Sequence, residues 1–380
     1  MSLKFFACGD IVNFTSKKDF VDENLKEVIT NSDISICNFE APIETEDMKA
    51  IKKVGPHLYQ SRESIEYLNE AGFDMVSMAN NHIYDYGQVA LENTINELGK
   101  YNIDYIGAGV DFEDAYQTKI IEKNGIKIGL IAGCENEFGC LYEKQSRGGY
   151  VWLFHDLIED NIWKLKKEVD SIVLIAHAGV EDIDFPIKEW RDRYKRICDI
   201  GVDVIIGHHP HVPQGYEKYN SSQIFYSLGN FYFDSVGFED KSDDSYSVSL
   251  EFDKDGLKDF EIIYHKKIDG QTCKVDKDDV TFSFDALNSL LDNDYDKRND
   301  EICLELFHKY YYGYYESALG VLPKNATIIQ TIKFIIKKLF LKNRNIDNKN
   351  LMLLHNIKID SHRFVVQRAL GLMSEKRNNR

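Results

Sequence analysis

Residues 71–82 read AGFDMVSMANNH. The short apolar run Met75–Met78 has the composition of a buried β-strand, and the polar residues Asn80, Asn81 and His82 follow it almost at once. Helical patterns flank this run on both sides, which is typical of the β/α units that build parallel or mixed sheets. We therefore expect a strand whose carboxyl end carries side chains able to bind a ligand.

The same order of short apolar run and helical pattern continues through the first two-thirds of the chain. Strands are predicted at Phe5–Cys8, Ile34–Phe39, Met75–Met78, Lys127–Ala132, Ile172–Ala176 and Val202–Ile206. Helices are predicted at Arg62–Ala71, Val89–Tyr101, Leu157–Val169 and Ile187–Ile200. Later strands, which we expect to add antiparallel partners, are predicted at Ser222–Ser227, Tyr246–Phe252 and Phe260–Lys266. This pattern predicts an α/β fold with a largely parallel or mixed sheet.

Polar residues follow five of the predicted strands at the point where each strand ends. In chain order they are Asp10, then Asn38 and Glu40, then Asn80, Asn81 and His82, then His177, and finally His208, His209 and His211. In open α/β sheets the carboxyl ends of the strands converge on the crevice where ligands bind. Carboxylate, amide and imidazole donors suit divalent ions such as Zn, Mn or Fe. A bridging carboxylate such as Glu40 would allow two ions to generate a nucleophile and clamp a phosphoryl group.

Each of these residues also has an ordinary structural interpretation when it is taken alone. An aspartate after a strand, such as Asp10, is usually a turn or helix cap, and His82 could be a partner within a polar loop. The run His208–His211 could be a surface cluster, and both Asp85 and Glu181 could be solvated or capping residues. The recurrence at five strand ends favours a metal site over these separate explanations, while the register within the histidine run stays open.

Composition limits the class of protein. The 380 residues are 43% hydrophobic and 29% charged, which is the profile of a globular protein. The net charge of -17 argues against recognition of a nucleic-acid backbone, because that requires a basic surface. It still permits a small anionic or polymeric substrate, since bound divalent ions reverse the local field. The sequence does not determine the oligomeric state.

Several features predict where the protein works. No run of about 18 apolar residues predicts a transmembrane helix, and the N-terminal apolar run is too short for a signal sequence. The seven cysteines include no CxxC pair, which is typical of reduced thiols in the cytoplasm, where we expect this protein. The basic segment Lys333–Lys342 would allow weak peripheral contact with an anionic membrane, although a helix packed on the domain is the simpler interpretation.

The character of the sequence changes near residues 269–279, where a linker-like and charge-rich stretch begins. We predict an α/β domain over residues 1–268 and a helical C-terminal region over residues 280–380. A tyrosine-rich run lies at Tyr310–Tyr315 in that region. Its spacing is typical of a helix core, and an interaction face is the alternative.

Taken together, the motifs resemble those of the capsule-synthesis CapA proteins, also called poly-γ-glutamate synthesis proteins, of the calcineurin-like metallophosphatase superfamily. The resemblance covers about residues 3–235 and does not extend to the helical C-terminal region. It rests on the segments Gly9–Asp10, Asn38–Glu40, Ala71–His82 with Asp85–Gly87, Gly107–Gly109, His177–Glu181, Gly207–Val212 and Tyr226–Phe231.

This resemblance implies a four-layer sandwich, in which two mixed sheets are flanked by helices, with an α-helical C-terminal appendage. It also implies two divalent metal ions, of Mn, Zn or Fe, as cofactors. The implied ligands are Asp10 and His211 for the first ion, Asn81, His177 and His209 for the second, and Glu40 as the bridge between them.

Catalytic residues and two departures from the superfamily are implied by the same resemblance. His82 would help to protonate the leaving oxygen or to stabilise developing charge, and Glu181, or a longer reach by Glu40, would compensate for a missing ligand. That ligand is missing because Val12 stands where the superfamily usually has a histidine, and the bridging acid is Glu40 instead of an aspartate. We therefore expect the first ion site to be weaker than the second, and the alternative is that only one ion binds.

Two functions are consistent with these residues. The first is a metal-dependent phosphoester hydrolase, with a metal-bound hydroxide as nucleophile, that serves the synthesis of a capsule or another cell-surface polymer. The alternative is a non-hydrolytic factor in the synthesis or export of poly-γ-glutamate or a polysaccharide, in which the metal site binds the polymer or a partner. The alternative rests on the family alone, whereas the hydrolase rests on the chemistry of the predicted site.

Overall fold

The computed structural model describes residues 2–234, 244–292, 294–319, 327, 329, 332 and 346–378. The chain divides into two units, which are residues 1–51 with 57–293 and residues 52–56 with 294–380. Among the described residues, no helix is long and apolar enough to cross a membrane. The basic segment Lys333–Lys342 lies outside the described residues. Two expectations stay predictions: the division into domains at residues 1–268 and 280–380, and the cytoplasmic location.

The strands of the first unit include all of those predicted and several more. In chain order they are β1 (Leu3–Val12), β2 (Ile34–Phe39), β3 (Met75–Ser77), β4 (Asp104–Ile106), β5 (Ala108–Gly109), β6 (Lys119–Lys123), β7 (Ile126–Cys134), β8 (Cys140–Leu141), β9 (Gly149–Val151), β10 (Ser171–His177), β11 (Val204–His208), β12 (Tyr216–Tyr219), β13 (Ser222–Phe225), β14 (Asn230–Phe233), β15 (Ser245–Asp253), β16 (Gly256–Ile268) and β17 (Gln271–Lys274). Every residue of β2, β10 and β11 is buried, as expected for strands that are covered on both faces.

Most of these strands belong to two mixed sheets. The larger sheet has the order β17-β16-β15-β1-β2-β3-β4, with β14 also paired to β1. Its strands β1 to β4 are parallel, whereas β15 to β17 add antiparallel partners. The smaller sheet has the order β12-β13-β11-β10-β7-β6, in which the four central strands are parallel. A third sheet of short strands has the order β5-β9-β8.

Helices cover both sheets. In the first unit they are α1 (Glu23–Thr30), α2 (Ser64–Ala71), α3 (Gly87–Lys100), α4 (Phe112–Ala115), α5 (Asp156–Leu165), α6 (Lys188–Ile200) and α7 (Phe284–Ser289). Helix α3 contacts β4 of the larger sheet, and α5 contacts β7 of the smaller one. One continuous hydrophobic core includes Phe5 and Ile36 from the larger sheet and Val173 and Ile206 from the smaller, so the two sheets pack on each other.

Local sequence explains where the helices begin and end. Helix α1 begins after Asp22, whose carboxylate accepts a hydrogen bond from the backbone N–H of Leu25. Helix α2 ends at Gly72, which has a φ of 93° and so adopts the left-handed conformation that glycine tolerates best. This sharp stop lets the chain turn directly into β3, the strand that precedes Asn81.

The second unit is helical in its described part. It contains α8 (Tyr295–Leu306), a π-helical turn (Phe307–Tyr311), α9 (Tyr312–Leu319), α10 (Ile346–Lys358) and α11 (Asp360–Asn378). Within the tyrosine-rich run, Tyr311 is buried and packs on His362 with 4.7 Å between ring centroids. Tyr310, Tyr312 and Tyr314 are between 37% and 43% exposed. The core interpretation therefore holds for Tyr311 and not for the whole run.

The predicted fold class is confirmed, because two mixed sheets are flanked by helices and further helices follow. One strand differs from the prediction. Strand β13 is parallel to β11 and antiparallel to β12, although we expected an antiparallel partner only. The reason is that β12 and β13 form a hairpin, which returns the chain to the direction of β11.

A buried histidine makes the stability of the first unit depend on pH. His265 of β16 has no exposed surface, and burial lowers its pKa from 6.5 to about 3. At a pH between these two pKa values, the unfolded chain binds a proton at His265 and the folded chain does not. The stability of the folded state therefore falls as the pH drops below about 6.5. We expect this residue to cost about 2 kcal/mol of folding free energy at pH 5 relative to pH 8.

The substitution His265→Phe should remove this component, because a phenyl ring fills similar space beside Phe231 and does not titrate. Denaturant unfolding at the two pH values measures the effect, and His308→Phe, at an exposed histidine, is the control. An equally acid-sensitive His265→Phe variant would contradict the prediction.

Candidate metal centre

The register of the two sheets brings the polar strand ends together. In the larger sheet Asp10 of β1 is paired with Asn38 of β2, and in the smaller sheet His177 of β10 is paired with His208 of β11. Gly9 permits a close approach beside Asp10, because a Cβ atom there would lie 1.8 Å from the carbonyl oxygen of Gly229. The carboxyl ends of both sheets therefore face one centre, where His177 Nδ1 lies 3.8 Å from Asp10 Oδ1.

The first set of donors, which we call the Asn81 group, consists of Glu40, Asn81, His177 and His209. His177 Nε2 lies 3.2 Å from Asn81 Oδ1, 3.1 Å from His209 Nδ1 and 3.6 Å from Glu40 Oε1. Donors that bind one zinc ion at about 2.0–2.2 Å lie about 3 to 3.5 Å from one another. The separations in this group therefore match those of ligands to a single ion.

The second set, which we call the Asp10 group, consists of Asp10, Glu40 and His211, whose donor atoms lie within 4.8 Å of one another. His211 Nδ1 is 3.5 Å from Asp10 Oδ2, and His211 Nε2 is 3.8 Å from Glu40 Oε1. Asn230 Oδ1 lies 3.0 Å from His211 Nδ1 and, as an amide oxygen, can only accept a hydrogen bond there. Nδ1 therefore carries the proton, and Nε2 presents its lone pair towards Glu40.

Glu40 belongs to both groups, and its environment favours a bound cation. The Oε1 atom is buried and accepts no hydrogen bond from the residues that the structure describes. Burial raises the pKa of Glu40 well above its ordinary value, and the neighbouring Asp10 carboxylate adds to that shift. Burial also lowers the pKa of His177 well below its ordinary value, so the ring stays neutral. The residues present therefore fit divalent metal ions.

A buried amide, Asn38, connects the ligands of both groups. Its Nδ2 donates to Asp10 Oδ1 over 2.7 Å and lies 3.1 Å from His177 Nδ1. Asn80 donates to Asn38 Oδ1 over 3.2 Å and to the Phe39 carbonyl over 2.8 Å. Because both amides are fully buried, this network ties the end of β1 to β2 and to the loop after β3.

The backbone of the histidine run is strained in a way that directs its side chains. His209 has a φ of 97° and His211 a φ of 59°, both in the left-handed region that non-glycine residues rarely adopt. Such conformations persist at functional sites because the surrounding structure enforces them. The turn brings His209 and His211 to Glu40, whereas His208 Nε2 lies 3.0 Å from the Cys8 carbonyl oxygen.

His82 and Asp85 form a buried pair beside the Asn81 group. His82 Nδ1 lies 2.7 Å from Asp85 Oδ2, and the Leu58 N–H donates to the same oxygen over 2.8 Å. Asp85 has no exposed surface, so its interpretation as a solvated residue is wrong. The carboxylate instead fixes the orientation of the His82 ring, which is itself only 5% exposed.

Glu181 and Val12 occupy different positions from the ligands. Glu181 is exposed in the loop after β10, and it is close enough to contribute to the raised pKa of Glu40. Among the described residues it belongs to neither group of clustered donors, so its catalytic role stays a prediction. Val12 is buried in a small apolar cluster with Ala41, Leu58 and Phe233.

Two acids of the centre were not predicted as site residues. Glu135 Oε1 is 3.2 Å from His209 Nε2, and Glu137 Oε1 accepts a hydrogen bond from Asn81 Nδ2 over 3.1 Å. Both come just after β7, a strand that the sequence does predict. The rule that polar residues after a parallel strand line the crevice would have found them.

The motifs around this centre are shared with known proteins. The sequence model of the family described as bacterial capsule synthesis protein PGA_cap matches residues 6–235. The capsule biosynthesis protein CapA of Bacillus anthracis is 32% identical over 222 residues, which are 57% of this chain and 54% of that protein. The PGA biosynthesis protein CapA of Bacillus subtilis (strain 168) is 32% identical over 247 residues, which are 64% of each. The chain thus spans only about half to two thirds of the length of these relatives.

The solved structures to which the chain is similar in part include two described as nucleotidases. A 5'-nucleotidase precursor from Thermus thermophilus has 12% identity and a TM-score of 0.43, covering 77% of this chain and 58% of that chain. A 5'-nucleotidase from Candida albicans has 11% identity and a TM-score of 0.40, covering 70% of this chain and 52% of that chain. The resemblance to the CapA proteins that the motifs predicted is confirmed by the sequence matches.

Metal content tests the two groups directly. We expect Glu40→Ala to lose the ions of both groups, because both share its carboxylate, and His211→Ala to lose only the ion of the Asp10 group. Elemental analysis of each purified protein, after dialysis from Mn²⁺, measures the metal-to-chain ratio. The matched control is Glu143→Ala, since that acid is exposed and has no predicted role in the centre. Equal metal content in wild type and Glu40→Ala would contradict the shared site.

Proposed function

The chain belongs to the PGA_cap family of bacterial capsule synthesis proteins, and we propose that it is a metal-dependent phosphoester hydrolase. The observation that carries this proposal is the buried Glu40 carboxylate, which two groups of metal-binding donors share. A carboxylate between two adjacent ions is typical of enzymes that hydrolyse phosphoesters.

Divalent ions bound here would polarise a phosphoryl oxygen and lower the pKa of a bound water, which is the chemistry that hydrolysis requires. The protein's own part is to hold the ligands in place before the substrate arrives. Asn38 holds the side chains of Asp10 and His177 in place. The strained turn after β11 holds the side chains of the histidines that follow that strand. The ligands that we propose are Asp10, Glu40 and His211 for one ion and Glu40, Asn81, His177 and His209 for the other.

We propose that His82 donates the proton that the leaving oxygen needs. Asp85 accepts from Nδ1 of the ring, so the imidazolium form would give a substrate the proton on Nε2 and become a neutral ring that keeps its Nδ1 proton. The Leu58 N–H holds the Asp85 carboxylate, which in turn holds the ring. A histidine positioned in this way contributes about 10²- to 10⁴-fold to the rate of a hydrolysis.

The substrate class is inferred from charge. The chain carries a net charge of -17, so an anionic substrate is repelled except where cations are bound. We therefore propose that an anionic ester is recognised through its phosphate at the ions. Because both relatives are named for capsule or PGA biosynthesis, we further propose that the reaction serves the synthesis of such a polymer.

A second candidate function is a non-hydrolytic one, in which the centre binds the polymer or a partner. The names of the relatives favour it, since they refer to biosynthesis and state no hydrolytic reaction. The two candidates differ in one measurable respect. A binding factor retains its ions and turns over no phosphate ester, whereas a hydrolase does both.

The role of His82 gives a test that depends on the leaving group. We expect His82→Ala to lower kcat/KM for phenyl phosphate by about 10²- to 10⁴-fold, because a poor leaving oxygen needs the proton. The loss should be smaller with 4-nitrophenyl phosphate, since nitrophenolate leaves without protonation. Steady-state kinetics with Mn²⁺ measures both, and the metal content of each variant shows whether the ions are retained.

An exposed histidine supplies the matched control, and His308→Ala should keep wild-type kinetics. Equal losses on the two esters would contradict the role of His82 as a proton donor. A wild-type protein that retains its ions but turns over none of a broad panel of mono- and diesters would contradict hydrolysis and favour the binding function.

A further inference from the structure

The segment after β7 places two acids against the Asn81 group. The backbone N–H of Glu135 donates to the His177 carbonyl over 3.0 Å, and the N–H of Glu137 donates to the Tyr150 hydroxyl over 3.0 Å. Tyr150 is fully buried, so this segment is fixed at both positions. Glu135 is 0% exposed and Glu137 9% exposed, which is unusual for carboxylates and requires a reason.

Glu135 lies beside one ring nitrogen of His209, and this leaves the other nitrogen to face the Asn81 group. Glu135 Oε1 lies 3.2 Å from His209 Nε2, while His209 Nδ1 lies 3.1 Å from His177 Nε2. A carboxylate can only accept, so the ring proton belongs on Nε2 and the lone pair of Nδ1 points into the Asn81 group. The Gly179 N–H donates to the same carboxylate oxygen over 3.3 Å and helps to hold it there.

Glu137 determines which atom of Asn81 reaches the Asn81 group. Asn81 Nδ2 donates to Glu137 Oε1 over 3.1 Å, and Asn81 Oδ1 consequently faces His177 Nε2 over 3.2 Å. An amide turned the other way would bring two oxygens together at Glu137 and point a nitrogen, which cannot ligate, at the centre. The acceptor-only character of Glu137 therefore selects the ligating orientation of the amide.

We propose that Glu135 and Glu137 are positioning residues, which fix the ring of His209 and the amide of Asn81 so that both can bind the same ion. The proposal rests on the proposed function, since that function assigns the ligand roles. Neither acid belongs to the two groups of clustered donors found among the described residues, which agrees with a role through other side chains. Carboxylates that orient metal-binding histidines also raise ligand basicity, and their loss typically lowers metal affinity by about 10- to 100-fold.

The test measures Mn²⁺ affinity by titration calorimetry on the full chain. We expect Glu135→Ala and Glu137→Ala each to weaken binding at the tighter site by about 10- to 100-fold. The variants Glu135→Gln and Glu137→Gln keep an acceptor oxygen and the size of the side chain, so they should lose less. Glu143→Ala, at an exposed acid further along the chain, is the control and should bind as wild type does.

Double variants separate positioning from direct ligation. If Glu135 acts through His209, then adding Glu135→Ala to His209→Ala should weaken binding no further than His209→Ala alone. The same holds for Glu137→Ala added to Asn81→Ala. Fold-changes that multiply in the double variants would overturn the proposal, because they would show that the acids act independently.

A spectroscopic readout keeps the proposal testable if an alanine variant fails to fold. The visible absorption spectrum of the Co²⁺-loaded protein reports ligand geometry, and it should shift in Glu135→Gln relative to wild type. Gln variants with wild-type Mn²⁺ affinity and an unchanged Co²⁺ spectrum would overturn the inference and leave the hydrolase proposal intact. A wild-type protein that binds no Mn²⁺ would instead overturn the metal centre on which both depend.

Discussion

The centre depends on a carboxylate that is buried where water cannot balance its charge. Glu40 has no exposed surface, its Oε1 accepts no hydrogen bond within the described part of the chain, and Asp10 beside it makes ionisation harder still. An uncompensated buried charge costs several kcal/mol even after relaxation, so the carboxyl stays protonated unless a countercharge lies beside it. The ring of His177 is neutral, as its lowered pKa indicates, so it supplies no countercharge. Cations are therefore the natural partners of this carboxylate.

The packing of the two sheets controls the geometry around Glu40. The larger sheet supplies the acids and Asn81 at the ends of β1, β2 and β3, and the smaller sheet supplies the histidines at the ends of β10 and β11. The hydrophobic core between the sheets fixes their separation, and a close-packed interior yields little to strain. Ions held between the two sheets would bind the folded state and not the unfolded one. Metal binding and the stability of the first unit are therefore linked.

A strand and the site residues that follow it can be predicted from the sequence only where the apolar run is long enough to be recognised. Long apolar runs ending in polar residues were enough to find Asp10, His177 and the histidine run, because parallel strands direct the residues at their carboxyl ends to the same crevice. Strands such as β5 and β8 have two residues each, and no periodicity can appear over that length. The burial of Asp85 depends on the backbone of Leu58, which comes from a distant loop. The pairing of Asn38 with Asp10 likewise depends on the register between strands, which a single sequence does not specify.

The valine at position 12 explains why the two groups differ. Val12 packs with Phe233, and the Phe233 ring lies 4.9 Å from the ring of His211, so an apolar wall occupies the place where a further donor was expected. That wall and Asn230 hold His211 in one orientation, which reduces the entropy lost when its ring binds an ion. The Asp10 group still has three donors, which lie within 4.8 Å of one another, against four donors in the Asn81 group. Catalytic ions keep an open position, whereas structural ions are fully coordinated by the protein. If ions bind, the Asp10 group would accordingly leave more room for a water or a phosphoryl oxygen, and the Asn81 group would hold its ion with more protein donors.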